Sequence, residues 1–270
     1  MEPSAIVAFL GSFATQVVGY FAVVGLLFGV FWVWGERAFA RRRVQKSKRF
    51  TPKQLGHELR YTLVTFIAGT GSVGAIMALR ARGMSSLVER VEATPMGALT
   101  VLAWVAGIVV FNDAWFYGWH RLLHTPALFR RVHAIHHKSV DVNPFSSYSF
   151  HFFEAFILGA WVVPAAMVLP IPMPALALVQ VVGLLNNVNS HLGYELLPAW
   201  WLRVPLLSWS ASATYHNLHH QRLNGNYGLF FRFWDRAFGT ELAGYEEAFV
   251  DRRWPEHLPP PEGPTRSQDL

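Results

Sequence analysis

The sequence predicts an all-α, polytopic membrane protein: about three spanning helices, one helical hairpin, and a histidine-rich lobe on one side of the bilayer. Three observations predict it. Of 270 residues, 52% are hydrophobic and only 15% charged, and the mean hydropathy is positive, too apolar for an ordinary soluble domain. Seven of the fourteen residues from Glu36 to Arg49 are Lys or Arg, the positive-inside mark of a cytoplasmic loop beside a span. Eight of twelve histidines fall in three clusters at helical spacing.

The elements follow in order. Ala5 to Trp34 carries no charge and is long enough to cross a bilayer, which takes about 20 residues. A cleaved signal peptide would need a basic start and a shorter apolar core; Met1-Glu2-Pro3-Ser4 has no basic residue, and the apolar run is too long. After the basic loop, Thr51-Pro52 opens a short polar helix with His57, read as an ordinary surface histidine, and Glu58. Tyr61 to Leu79 is a second span, rich in small residues that allow close packing. Residues 80–95 are polar and lie on the far side. Met96 to Phe111 begins a third span, which runs into Asp113-Ala-Trp-Phe-Tyr117-Gly-Trp-His120-Arg-Leu-Leu-His124. Thr125-Pro126 breaks the helix, and Phe129 to His137 starts another. Phe152 to Leu169 and Ala175 to Val188 form an apolar hairpin around Pro170-Ile-Pro172-Met-Pro174, near the minimum length for crossing. From Pro198 a lobe follows, in which Trp200, Trp201 and Trp209 suggest interfacial contact. Asn224-Gly225-Asn226-Tyr227-Gly228 is a turn that calls for left-handed backbone. The tail from Pro255 is expected to be disordered. The chain therefore divides into membrane spans at 1–95, a histidine-bearing domain at 96–242, and a tail at 243–270.

On a helix, residues three and four apart share a face. His120 and His124 therefore point one way, as do His133, His136 and His137, and again His216, His219 and His220. Neutral imidazole suits iron, zinc, copper and nickel. Eight such ligands can fill the shells of two metals. With no cysteine in the chain, disulfides, thiolate ligands and iron–sulfur clusters are excluded, so any metal takes nitrogen and oxygen donors. Asp113 and Tyr117 share a helical face with His120 and His124, and Asp113 is expected to orient a ligand histidine. Asn187 shares a face with His191 and is read as its support. His191 stands at the same boundary as the clusters and is read as a further ligand; His151 is a weaker candidate. If the 36–49 loop is cytoplasmic, two spans put residue 80 outside and the third brings His120 back. All three clusters and His191 then lie on the cytoplasmic face. The net charge of +6 is a topology signal and not a nucleic-acid footprint.

The boxes His120-x3-His124, His133-x2-His136-His137 and His216-x2-His219-His220 resemble those of the fatty acid hydroxylase/sterol desaturase superfamily. So do the Asp113-to-His124 lead-in and the ending Asn226-Tyr227-Gly228…Trp234-Asp235-Arg236-x-Phe238-Gly239-Thr240. The resemblance covers about residues 100–242; any one box is weakly specific, and three in order with the ending are strongly so. It implies a membrane site with two iron ions that activates O2 and hydroxylates or desaturates a lipid. It makes the eight box histidines ligands and matches His191 to a histidine between boxes two and three. His151 and Glu154 resemble a His-x-x-Glu element of the sterol-oxidising members. The implied partners are a lipid from the bilayer and a separate reductase, ferredoxin or cytochrome as electron donor. Two other readings compete: a zinc-dependent membrane hydrolase, and a non-enzymatic metal- or lipid-binding membrane protein. Catalytic zinc takes about three protein ligands, fewer than are present. The H-E-x-x-H signature is absent.

Overall fold

The computed structural model describes residues 3–44 and 51–252; the rest of the basic run and the tail from Pro255 lie outside the described residues. Among the described residues there is no strand, only three isolated bridges.

Among the described residues, three helices are long and apolar enough to cross a membrane. The first, α1 (Pro3–Phe28), continues through a π-helical stretch, Gly29–Trp34, so the uncharged run forms one rod. Within that stretch the Trp32 indole N–H donates to the Leu192 carbonyl at 2.9 Å, tying the rod to the residue after His191. α2 spans Pro52–Ala81 without interruption. The short polar helix and the second span expected separately are thus one element. Thr51 caps it by accepting from the Gln54 amide, Pro52 suits its first turn, and no later proline breaks it. α3 spans Pro95–Leu123, with Thr94 accepting from the Gly97 amide. Its 29 residues reach about 44 Å. A bilayer core is about 30 Å thick, so α3 is longer than the apolar zone, and the end that carries His120 and Arg121 is the one whose charge is costly inside it.

Thr125 and Pro126 end α3 as expected. The next helix has three parts: α4 (Pro126–Leu128), π-helical Phe129–His133, and α5 (Ala134–His137). A 3-10 turn, Pro144–Tyr148, follows, closed by a capping box between Asn143 and Ser146. The hairpin consists of α6 (Phe152–Gly159) and α7 (Val162–Val168) in one arm and α8 (Met173–Ser190) in the other. Its tip is stitched to the connection between α2 and α3. Ser86 N–H donates to Ala166, Val88 N–H to Ile171, and Met173 N–H to the Val88 carbonyl. The hairpin therefore extends to the level of the far ends of α2 and α3.

The remaining lobe holds α9 (Ala213–Arg222), α10 (Phe233–Ala237) and α11 (Tyr245–Asp251). Ser212 caps α9 through the Tyr215 amide. Tyr215, Leu218, Tyr245 and Phe249 form its buried core, so the packed lobe runs past residue 242. The Arg232 guanidinium is fully buried, pairs with Glu241 at 2.7 Å, donates to the Ser208 carbonyl, and lies over the Tyr245 ring.

Candidate metal centre

Nine histidines from α3, the Phe129–His137 segment, the end of α8 and α9 converge in two adjoining groups. His120, His124, His133, His137 and His219 form one; His136, His191, His216 and His220 form the other. In each group one ligand nitrogen per residue lies within 4.8 Å of all the others.

The H-x-x-H-H spacing explains the division. At 100° per residue, i and i+4 differ by about 40°, while i+3 lies about 60° to the other side. In the second box His133 and His137 enter the first group and His136 the second. In the third box His216 and His220 enter the second group and His219 the first. Each box thus gives an i, i+4 pair to one group and its middle histidine to the other. The expectation that all three point together holds only coarsely: they share a cavity but straddle two positions. Upstream, the π-helical stretch alters the rotation per residue just before His133, a device often found at functional sites.

Five of the nine outward nitrogens are held by acceptors. Nδ1–H of His120 donates to the Tyr227 carbonyl at 2.8 Å, that of His219 to Gly225 at 2.7 Å, and that of His191 to Asn187 at 2.9 Å. His136 donates to Ser149 at 3.3 Å, and His133 to the Glu154 carboxylate at 2.7 Å. Such bonds fix the tautomer and leave Nε2 as a lone pair facing inward. Nε2 of His136 and Nε2 of His191 then face each other at 3.4 Å with no proton between them. Nε2 of His133 has the Nε2 atoms of His124 and His137 at 3.0 Å each. Converging acceptors with no donor are unfavourable in a buried space unless a cation lies among them. The donor set therefore fits metal ions.

Burial acts in the same direction. His133, His136, His137, His216, His219 and His220 are held well below the ordinary histidine range, first by burial and then by neighbouring imidazoles. Burial pushes His191 down to about 4. At neutral pH these side chains are uncharged, the state that ligation requires.

The turn at 224–228 does what its composition suggested. Asn226 adopts φ 58°, and this left-handed residue aims the flanking Gly225 and Tyr227 carbonyls at His219 and His120. A Cβ at Gly228 would lie 2.2 Å from the Phe231 carbonyl oxygen, so the close approach requires glycine. Asp235 holds the turn by accepting from the Tyr227 and Gly228 amides at 2.9 and 2.7 Å, and also from Tyr215 and Thr240.

Several expected roles change. Asp113 orients no histidine; its Oδ1 accepts from the Leu229, Phe230 and Phe231 amides at 3.2, 2.6 and 3.3 Å. It fixes the loop after the turn instead. Tyr117 likewise bonds no histidine; its hydroxyl meets Thr240 Oγ1 at 3.0 Å, and its ring stacks on Phe238. Asn187 supports His191 through its backbone carbonyl, while its side chain donates to the Ser147 carbonyl. His151 lies outside both groups; its Nδ1 accepts from the Phe153 amide and caps α6. His57 is not a free surface residue, because its Nε2–H donates to the Ile135 carbonyl at 3.0 Å. Beside it, Glu58 is fully buried and accepts from Gln54, Ser139 and Asn143, clamping the segment after the second box. No motif pointed to Glu58; only a carboxylate four residues after Gln54 in an amphipathic turn could have hinted at it.

A cavity runs along both groups, bordered by His120, His133, His136, His191, His216 and Glu154, with apolar walls from Phe116, Phe150 and Leu229. About 10 Å³ of it admits the centre of a water-sized sphere, which is room for about one small molecule.

Fold and site define a membrane protein whose helix ends gather two buried histidine groups able to hold metal. Comparison with known proteins then gives the family. The fatty acid hydroxylase family model matches residues 105–240, and the chain belongs to that family. It is similar to methylsterol monooxygenase 1 of Gallus gallus, 33% identical over 141 residues, covering 52% of this chain and 47% of the relative. It is also similar to Delta(7)-sterol 5(6)-desaturase erg3B of Aspergillus fumigatus, 28% identical over 202 residues, covering 73% and 58%. Lathosterol oxidase of Homo sapiens is 24% identical over 197 residues, covering 73% and 64%. The chain spans about half the length of the first of these relatives. No solved structure matches it at a significant level.

Proposed function

We propose that the chain is a membrane-bound, two-iron, O2-dependent oxidoreductase that hydroxylates or desaturates a C–H bond of a lipid, from the cytoplasmic face. The names of its relatives favour a sterol-like substrate. The observation that carries this reading is the pair of buried histidine groups with inward-facing Nε2 atoms. Iron held there supplies redox chemistry strong enough to oxidise an unactivated C–H bond with O2.

The chain's own residues set the conditions. The nine imidazoles stay neutral and offer nitrogen donors without a proton to displace. Tyr227, Gly225, Asn187 and Ser149 carbonyls and the Glu154 carboxylate hold five of the rings in register. Phe116, Phe150 and Leu229 border the cavity and keep bulk water from it. Phe152, Phe153 and Phe156 are exposed beside Glu154 at the start of α6, an apolar face from which a lipid can approach. Converting C–H to C–OH with O2 releases the second oxygen as water, which takes two further electrons and two protons. The proposed source of those electrons is a separate reductase, ferredoxin or cytochrome.

The test is lipid mass spectrometry on a host lacking the chain, complemented with wild type or His136→Ala. A lipid one oxygen heavier, or two hydrogens lighter, that only wild type restores is expected. Normal turnover by the variant, or no lipid difference with iron-loaded wild type present, would overturn the reading.

A further inference from the structure

We infer that Arg121, Arg130, Arg131 and Lys138 form the docking face for an acidic one-electron carrier protein. The inference rests on the oxidoreductase reading above. From Arg121 to Lys138 the chain carries four cations and no carboxylate, and all four are exposed. Several cations elsewhere are matched. Arg232 and Arg236 pair with Glu241 and Glu246, and Arg80 pairs with Glu89. The acid nearest in sequence, Asp141, is buried beside Arg43 at 3.7 Å and does not neutralise the face. Among the described residues, none of the four is in an ion pair.

A second observation places this face over the metal groups. Of the nine histidines only His124 is partly exposed; the other eight are buried. His124 follows α3 directly, and its ring packs on Phe129 at 5.4 Å, next to Arg130 in sequence. The thinnest cover over either group thus lies between Arg121 and Arg131. An electron reaching the site has its shortest path there, and a partner that binds there meets four cations that no carboxylate of the same segment offsets. Complementary charge speeds encounter and fixes orientation, which suits a carrier that must bind, deliver one electron, and leave. Each substrate oxidised to the alcohol consumes two reduced carriers, each giving up one electron. Anionic lipid headgroups are the other ligand such cations attract. The carrier is favoured because the face belongs to the segment that overshoots the apolar zone and covers His124.

The experiment uses the full chain, iron-loaded, in discs of pure phosphatidylcholine, with an acidic plant-type [2Fe–2S] ferredoxin as probe. Association is followed by stopped flow, and electron delivery by the return of visible absorbance as the reduced ferredoxin is reoxidised. Arg130→Glu with Arg131→Glu is expected to slow association at least about tenfold at low salt. The difference should shrink to under about twofold near 1 M salt, where the screening length is about 3 Å. Lys138→Glu, tested alone, should shift the rate in the same direction, which guards against a folding defect in the double variant. Arg82→Glu, at the opposite end of α2 and α3, should leave it unchanged. The proposal is overturned if wild type does not bind the probe, or if the reversals leave association unaltered. It is also overturned if their effect appears only when anionic lipid is added, which would assign the face to headgroups. A single turnover by wild type that has been reduced with dithionite, freed of it and then exposed to O2 needs no docking, so its failure would count against the oxidoreductase reading instead.

Discussion

Replacing Glu154 separates a ligand-orienting carboxylate from a merely buried one. Its Oε1 accepts from His133 Nδ1 at 2.7 Å, and both side chains are about 1% exposed. A bond to a charged acceptor contributes about 1.5–3 kcal/mol, and a neutral one about 0.5–1.5. With a metal cation behind His133 the Glu154 side chain would be the carboxylate; Glu154→Gln keeps an oxygen near Nδ1 but removes that charge, a loss of about 1–1.5 kcal/mol. As about 1.4 kcal/mol is tenfold in affinity, the variant should hold metal roughly tenfold more weakly. Glu154→Ala removes the acceptor, strands the His133 N–H, and lets the ring turn. Loss of such a partner typically costs 10–100-fold in metal affinity, and the alanine variant should lie near about 100-fold. The assay is competition against a graded series of chelators, with metal content counted after each step. The His133 group should empty first, and the His136 group should follow at a chelator strength closer to wild type. Retention of both metals by Glu154→Ala at wild-type affinity would refute the reasoning.

Two further outcomes follow from the same geometry. Asp113→Ala leaves the buried Phe230 amide without its acceptor, at a cost of about 1–3 kcal/mol, and frees the half-buried Leu229 and Phe231 amides, so the detergent-solubilised protein should melt several degrees lower, while Asp113→Asn melts in between; a drop in metal affinity with unchanged melting would restore its role behind a histidine. For the chelator-stripped chain, the box histidines are held below the ordinary value of 6.5 in the folded state and return to it on unfolding. Below about pH 6.5 the unfolded chain binds protons that the folded chain does not, so this contribution is intact above that pH and declines as the pH falls below it. Melting at pH 5.5 should therefore fall below that at pH 7.5, and equal melting would contradict the shifts.

The parts of the fold set by composition were legible in sequence. An uncharged run has nowhere to go but a bilayer, so α1 and α3 were readable, and Pro126 dictated the break after His124. The box histidines were legible because helical spacing alone brings His120 toward His124 and His133 toward His137. Their division into two groups was not, because it depends on how α9 faces the Phe129–His137 segment. The role of Asp113 was misread for a related reason. A carboxylate one helical face away from histidines looks like their partner, yet the amides of residues 229–231 come closer once the chain folds back. Backbone acceptors such as Tyr227 and Ser149 carry no side-chain signature and emerge only in three dimensions. The Asn226 turn was the exception, since its composition announced the left-handed backbone that aims two carbonyls.

The central claim is that the histidines form two metal positions, and iron stoichiometry tests it most directly. Purified chain reconstituted with ferrous iron and stripped of excess should retain two irons per chain, one for each histidine group. His124→Ala, from the first group, and His216→Ala, from the second, should each lower that count toward one while the protein stays folded in the membrane. A single iron in wild type, or zinc retained in preference under iron-replete expression, would contradict the account.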